Sequence, residues 1–139
     1  MAERRMFAKS VVESDLFHDM PMSAQSLYYS FGMNADDDGF VGNPKSIMRS
    51  IGASEEDIKI MAAKGFIVLF ESGIILIRHW KINNRIKSDR YRETKYLAEK
   101  ALFFEDASGA YLENGAIAES SPILAAGPSG NAEKTELLA

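Results

Sequence analysis

The 139-residue chain has no cysteine, two histidines and four prolines, and no long apolar run. The lack of cysteine excludes disulfides and Cys-ligated metal sites, and it suits a reducing cytoplasm. His18 and His79 are too far apart in sequence to show metal-ligand spacing, so we expect no metal site. No stretch approaches the roughly 20 apolar residues of a membrane span, and the N-terminus lacks a signal-peptide run. We therefore expect a soluble, cytoplasmic protein without a membrane partner.

Motifs that carry catalysis or bind a cofactor are also missing. The sequence contains no phosphate-binding loop of the type G-x-x-x-x-G-K, no nucleophile elbow and no carboxylate-histidine constellation. Asp36, Asp37 and Asp38 before Gly39 resemble part of a calcium loop, but Ile47 stands where the closing Glu of a loop of about 12 residues would fall. We interpret the three aspartates as a turn, and we expect neither an enzyme nor a cofactor.

Positive charge is scarce overall, since the formal net charge is −4, but it is concentrated in one stretch. Residues 78–100 carry eight basic and three acidic side chains, whereas residues 1–77 carry seven and eleven, and residues 101–139 carry one and six. A segregated basic block of this kind is typical of a contact with phosphates, although a solvated helix face is the alternative interpretation.

Hydrophobic residues make up 46% of the chain, enough for a core, and they are densest between Phe66 and Trp80. Two apolar runs meet there at Ser72-Gly73, a pattern that predicts an antiparallel hairpin over 66–71 and 74–79 with alternate residues inward. A lone hairpin is unstable and has to pack on other elements. The predicted core residues are Phe31, Phe40, Ile47, Ile58, Met61, Ile67, Leu69, Ile75, Ile77 and Trp80.

Three short helical patterns precede the hairpin. Ser23 is a candidate N-cap for the first helix, Asn43-Pro44 starts the second, and Ser54 caps the third, which ends at Gly65. Between the first two helices, residues 35–41 predict an acidic turn and a short strand that pairs with the edge of the hairpin. This order of elements predicts an α+β fold, a winged helix-turn-helix.

The basic stretch follows the hairpin. Asn83 and Asn84 indicate a loop free to reach a partner, and helical spacing from Ser88 or Thr94 to Phe104 predicts a C-terminal helix. We expect a domain over residues 1–105, with an N-terminal arm or short helix over residues 1–19 (here called the N-terminal arm) and this basic helix, and a low-complexity, disordered tail over residues 106–139.

The candidate nucleic-acid-binding residues lie in this stretch and in the arm. Arginine and lysine neutralise phosphates, and interleaved tyrosines stack on unpaired bases, so Tyr91 is expected to matter most on single strands. The candidates are Asn83, Asn84, Arg85, Lys87, Arg90, Tyr91, Arg92 and Lys95, with Arg4 and Arg5 as a second contact. By contrast, the third helix begins Glu55-Glu56-Asp57, which a duplex would repel.

Several stretches resemble the N-terminal domain of phage replisome organisers, which are relatives of DnaD-type primosome proteins. These stretches are R-R-M-F, M-P-M-S-A-Q-S-L-Y-Y, A-D-D-D-G-F-V, N-P-K-S-I-M-R-S-I-G-A, K-G-F-I-V-L-F-E-S-G and R-H-W-K-I-N-N-R-I-K-S-D-R-Y-R-E-T-K-Y. The resemblance covers residues 1 to about 105. Such proteins usually continue into a further C-terminal region, which residues 107–139 do not resemble.

The resemblance implies a winged-helix protein that starts phage DNA replication in the cytoplasm of a bacterial host. It implies three kinds of partner: origin DNA, the host helicase or its loader, and further copies of the chain. Two other hypotheses stay open, namely an oligomerisation and docking module without DNA binding, and a transcriptional repressor. We expect at least a dimer, formed through the N-terminal arm and the strand edge near Phe40.

Overall fold

The computed structural model describes residues 4–114, which form an α+β structure. The elements are α1 (Lys9–Val12), α2 (Asp15–His18), α3 (Met22–Asn34), β1 (Phe40–Val41), α4 (Pro44–Ile51), α5 (Glu55–Ala63), β2 (Ile67–Leu69), β3 (Ile75–Ile77), α6 (Trp80–Asn83), α7 (Leu97–Lys100), β4 (Phe103–Glu105) and β5 (Tyr111–Glu113). Within residues 4–114, no helix has the length and apolar character needed to cross a membrane.

The predicted hairpin and its partner strand are confirmed. Strands β1, β3 and β2 form an antiparallel sheet in that order, with Ile67 opposite Ile77 and Phe40 opposite Leu76. The hairpin turn closes through the N–H of Gly73, which donates to the carbonyl of Phe70 (2.9 Å), and Gly73 has a φ of 90°. Glycine adopts this left-handed conformation without a steric penalty, which is why Gly73 in the sequence predicted the turn.

The outer edge of β1 is already used inside the chain. The N–H of Phe40 donates to the carboxylate of Asp36 (3.0 Å), and the carbonyl of Phe40 accepts from the N–H of Asp36 (2.9 Å). These groups are therefore occupied, and the expected association edge near Phe40 offers no free pairing groups at that residue.

Local capping signals set the three central helices, with one correction. Helix α4 begins at Pro44 and ends at Ile51, followed by the C-cap Gly52, whose φ is 73°. At the start of α5, the carboxylate of Asp57 accepts from the N–H of Ser54 (2.9 Å). Ser23 is not the N-cap of α3, because the helix already begins at Met22. Its hydroxyl donates to Asp57 instead (2.7 Å), which ties α3 to α5.

Aromatic rings fill the space between the helices and the sheet. Phe17 lies edge-on to Tyr28 (5.2 Å between centroids) and to Phe66 (5.5 Å), and Tyr28 is fully buried. Every predicted core residue is buried except Leu69, which is 47% exposed next to the hairpin turn. Burial of each large side chain stabilises the fold by about 1.5–3 kcal/mol.

The predicted alternation along the hairpin is wrong for β3, where Ile75, Leu76 and Ile77 are all buried. This strand is central in the sheet, and the chain after the hairpin covers its second face. Phe103 lies edge-on to Phe70 (5.8 Å), while Tyr96 packs on Phe40 (5.9 Å). Strands β1 and β3 are thus buried on both faces.

The predicted C-terminal helix is also wrong. Residues 84–96 form no helix, α7 covers one turn, and β4 then pairs with β5 with Phe104 opposite Leu112. Thr94, a candidate cap, is held elsewhere, because its N–H donates to Asp38 (2.7 Å). The proposed domain boundary at residue 105 falls inside the β4–β5 hairpin, and residues 115–139 of the expected tail lie outside the described residues.

Candidate nucleic-acid interface

The turn formed by Asp36, Asp37 and Asp38, here called the acidic turn, fixes the chain that carries the candidate residues. The Asp36 carboxylate accepts from the N–H of Asp38 (2.9 Å) and of Phe40, which closes a local Asx turn. Gly39 then takes a φ of 95°, and a Cβ at this position would lie 2.5 Å from the Cβ of Trp80. The acidic turn and Trp80 therefore pack in direct contact.

Asp38 is a buried carboxylate with four partners. It accepts from the hydroxyl of Tyr91 (2.6 Å), the N–H of Thr94 (2.7 Å), the ammonium of Lys81 (3.1 Å) and that of Lys100 (3.4 Å). Burial alone would raise the pKa of Asp38, but the hydrogen bonds from Tyr91, Thr94 and Lys81 hold it below its ordinary value. Asp38 is therefore ionised and anchors the segment around Tyr91.

Asp36 and Asp37 anchor the same segment from the other side. The Asp37 carboxylate accepts from the N–H of Arg92 (3.0 Å), its carbonyl accepts from the indole of Trp80 (3.0 Å), and the hydroxyl of Thr94 donates to Asp36. The acidic turn therefore holds residues 91–94 in place through hydrogen bonds. Among the described residues, no group of three or more His, Asp or Glu is arranged to hold a metal ion.

Arg5, predicted as a DNA contact, lies inside the molecule. Its guanidinium donates to the carbonyl of Ala35 (2.8 Å), lies 3.9 Å from the Asp37 carboxylate and stacks over the ring of Trp80 at 5.4 Å. Its side chain is 3% exposed. Arg5 therefore holds the N-terminal arm to the acidic turn, whereas Arg4 is exposed.

The expectation that Asn83 and Asn84 lie in a free loop is wrong, because both residues are buried and both side-chain amides are hydrogen-bonded. Asn83 ends α6, accepts from the N–H of Ala8 (2.9 Å) and donates to the hydroxyl of Tyr28 (2.8 Å). Asn84 accepts from the N–H of Met6 (2.8 Å) and donates to its carbonyl (3.1 Å). The two amides thus form hydrogen bonds to the backbone of the N-terminal arm at Met6 and Ala8.

Tyr91 is also used internally. Its hydroxyl donates to Asp38, and the ammonium groups of Lys81 and Lys100 lie over its ring at 4.8 and 5.6 Å. Since both the hydroxyl and the ring have partners, the geometry gives Tyr91 a positioning role and leaves little room for the base stacking expected of it.

The remaining candidates form an exposed basic surface. Arg85, Lys87, Arg90, Arg92 and Lys95 are all exposed, and none forms an ion pair with another described residue. We call residues 85–95 the basic segment. A turn in which the carbonyl of Lys87 accepts from the N–H of Arg90 and of Tyr91 sets its course, and the acidic turn holds its second half.

The third helix of the sequence pattern, α5, presents a different charge. Glu55 and Glu56 are exposed at its start, and Lys59, the one cation within α5, lies 4.0 Å from Glu56 in an exposed pair. Asp57, in contrast, is buried, and its carboxylate accepts hydrogen bonds from the hydroxyl of Ser23 and the N–H of Ser54. Two carboxylates, and not three, therefore face solvent at the start of α5.

Sequence reasoning missed the groove that lies beside the basic segment. Phe40, Gly42 and Tyr96 form its apolar part, and Arg92 and Lys95 line it as well. Gly42 is needed here because a Cβ would overlap the hydroxyl of Tyr96. The basic residues Arg92 and Lys95 near Tyr96 were visible in the sequence, but no local pattern shows that Tyr96 packs against β1.

Comparisons with models of protein families, with curated proteins and with solved structures find no match to this chain.

Proposed function

We propose that this protein is a DNA-binding replication initiation protein of the phage replisome organiser kind, and that the basic segment makes its phosphate contacts. The observation that carries the proposal is the group of exposed cations without ion-pair partners in the described chain, held in place by the buried acidic turn. Free cations gain most from phosphates because no internal pair has to be broken first.

The winged-helix part of the proposal is supported by topology. Helix α3, strand β1, helices α4 and α5 and the β2–β3 hairpin follow in the order expected for that fold, and β1 pairs with β3. The turn of the hairpin is short and has no cation, and α5 starts with two exposed carboxylates. The charges therefore favour contact through the basic segment over a standard recognition helix.

The second candidate is an oligomerisation or docking module that contacts the helicase or its loader in the bacterial cytoplasm without binding DNA. The exposed side chains of Met22, Tyr29 and Met33, at helical spacing along α3, favour this candidate, since such a stripe suits a protein partner. A repressor that reads an operator with α5 is supported least, because of Glu55 and Glu56.

The test is a binding titration on single-stranded and double-stranded phage origin DNA at several salt concentrations. We expect the variant with Arg85, Lys87, Arg90 and Arg92 replaced by alanine to bind much more weakly. Its log-log salt slope should flatten by up to about 3.6 on duplex, since each phosphate contact contributes about 0.9 there and about 0.7 on single strands.

The matched control replaces Lys59 of α5 and Lys64, the C-cap of α5, by alanine, which removes positive charge from the other candidate surface. This control should keep most of the affinity and the slope. The proposal fails if the α5 variant loses binding while the four-residue variant keeps it, and a wild-type chain that binds neither DNA favours the docking module.

A further inference from the structure

An open groove of about 340 Å³ lies between the acidic turn, β1 and residues 92–96. This volume is at the lower end of the range of about 300–1,000 Å³ that small-molecule sites occupy in proteins. The groove adjoins the basic segment, and none of the internal contacts described above fills it.

The apolar part of the groove is aromatic. Phe40 is buried, and its ring lies 5.9 Å from that of Tyr96 at an angle of 40°, while Tyr96 is partly exposed. The Tyr96 hydroxyl donates to no described residue, so the ring is the feature that this position supplies. The ammonium of Lys95 lies 5.3 Å from the centroid of the Tyr96 ring, but Lys95 is exposed and forms no ion pair within the described chain, so it can turn to a phosphate and leave the ring as a stacking surface. The Tyr91 ring differs, because Lys81 and Lys100 over it are both bonded to the buried Asp38.

The rim of the groove is cationic. Arg92 and Lys95 line it, and their backbone is fixed because the N–H of Arg92 donates to Asp37 and that of Thr94 to Asp38. Glu93 also lines the groove, but its carboxylate accepts from Lys100 at 2.7 Å. Asp36 and Asp37 line the groove too, but the Asp36 carboxylate accepts from the N–H groups of Asp38 and Phe40 and from the Thr94 hydroxyl, and the buried Asp37 carboxylate accepts from the N–H of Arg92. The exposed charges at the rim without an ion-pair partner in the described chain are therefore those of Arg92 and Lys95.

We propose that this groove binds one unpaired nucleobase of a single strand, stacked against Tyr96, with the neighbouring phosphates on Arg92 and Lys95. The inference rests on the proposed function, because it assigns the stacking role at the basic segment to Tyr96 and assumes that the segment contacts DNA. An aromatic surface beside free cations is the combination that proteins use on single strands. A base within a duplex cannot enter without leaving its own stack.

The experiment compares Tyr96→Leu with Tyr96→Phe on two fluorescently labelled strands, oligo-dT and an abasic strand of the same length. Both strands carry the same phosphates, so the ratio of their affinities isolates the base. The wild type and Tyr96→Phe should bind oligo-dT about 5-fold or more tightly than the abasic strand. Tyr96→Leu should bring this ratio close to one and leave binding of the abasic strand unchanged.

Three outcomes separate this inference from the proposed function. If Tyr96→Leu keeps the wild-type ratio while the four-residue variant of the basic segment weakens binding to both strands, the nucleobase site is absent and the DNA contact stands. A protein that binds neither strand overturns both. A ratio close to one in the wild type overturns the nucleobase site alone.

A second measurement on the unchanged protein guards against a variant that fails to fold. Ultraviolet cross-linking of oligo-dT to the wild-type chain, followed by mass spectrometry of the peptides, should place a cross-link on Tyr96. Cross-links confined to peptides away from residues 92–96 would contradict the site.

Discussion

At the scale of single residues, the Asp38 carboxylate compensates two lysines. We predict that Asp38→Asn lowers the free energy of unfolding by about 3 kcal/mol, at the low end of the range for breaking a buried ion pair, because Lys81 and Lys100 are 24% and 29% exposed and can turn to water. Urea denaturation at neutral pH measures the change. The control is Glu93→Gln, which removes an exposed partner of Lys100 and should cost less than about 1 kcal/mol.

The pH dependence of Asp38 follows from the direction of its pKa. Since the folded state holds the pKa of Asp38 below its ordinary value, the carboxylate stabilises the fold above that value, and this contribution is lost as the pH falls through the folded pKa. Asp38→Asn should therefore differ from the wild type less in acid than at neutral pH. An equal difference at both pH values would show that Asp38 acts through packing alone.

His79 contrasts with Asp38, because it is a buried titratable group without polar partners among the described residues. It is 1% exposed, neither ring nitrogen has a hydrogen bond within the described residues, and burial together with the Arg78 charge lowers the pKa of His79 to about 4. The unfolded chain takes up a proton near pH 6.5 whereas the folded chain does not, so stability falls as the pH drops from about 6.5 to about 4. We predict a loss of about 2 kcal/mol between pH 7 and pH 5 that His79→Leu removes.

The His79→Leu variant should also be as stable as the wild type at pH 7, or more stable, because it removes two unpartnered buried nitrogens. Urea denaturation at pH 7 and pH 5 gives both numbers for each variant. If His79→Leu keeps the wild-type slope, another group titrates in this window.

At the scale of elements, two glycines with similar backbone conformations separate strain from packing. Gly39 and Gly73 have φ values of 95° and 90°, but a Cβ at Gly39 would meet Trp80 while a Cβ at Gly73 would meet nothing within 4 Å. We predict that Gly73→Ala costs about 1–2 kcal/mol from the left-handed backbone alone. Gly39→Ala should cost a further 1–3 kcal/mol or so, the usual penalty of overpacking, and thermal or urea denaturation of the pair tests this difference.

The elements that were predictable from sequence are those that local chemistry sets. Pro44 and Gly52 bound α4, and Gly73 marks the hairpin turn, because each residue acts on its own backbone. The stretch after Trp80 was not predictable in the same way. Its course depends on bonds from Tyr91 and Thr94 to Asp38, more than 50 residues earlier, and these bonds outweigh helix propensity.

The same reasoning explains which site residues could be found. The exposed cations of the basic segment were recognisable from charge alone, since exposure is the ordinary state of Lys and Arg. Asn83, Asn84 and Arg5 were misassigned because polar side chains that bond the backbone of a distant arm look, in sequence, like polar side chains in a loop.

At the scale of the whole molecule, charge is separated. The chain is net acidic, yet the basic segment leaves its cations exposed on one stretch while the acidic turn is buried beneath it. On the proposed function, this arrangement predicts that DNA meets the protein at the basic segment, because the rest of the chain has a net negative charge. A strong salt dependence with a weak overall attraction is the expected result.

Self-association is the remaining property of the whole molecule, and the structure narrows where it can occur. We expected association through two surfaces, the N-terminal arm and the strand edge near Phe40. Hydrogen bonds to Asp36 already occupy the edge at Phe40, so the N-terminal arm remains, and Met6 on that arm is 57% exposed. We predict that the wild type sediments as at least a dimer at tens of micromolar and that Met6→Glu shifts it to monomer, because a charge in an apolar contact has to be desolvated.

Leu102→Glu is the matched control, since Leu102 is 56% exposed on a different surface and its change should leave the assembly intact. A wild type that sediments as a monomer would contradict the association itself, whereas a dimer that survives Met6→Glu and breaks with Leu102→Glu would move the contact from the arm to the end of α7.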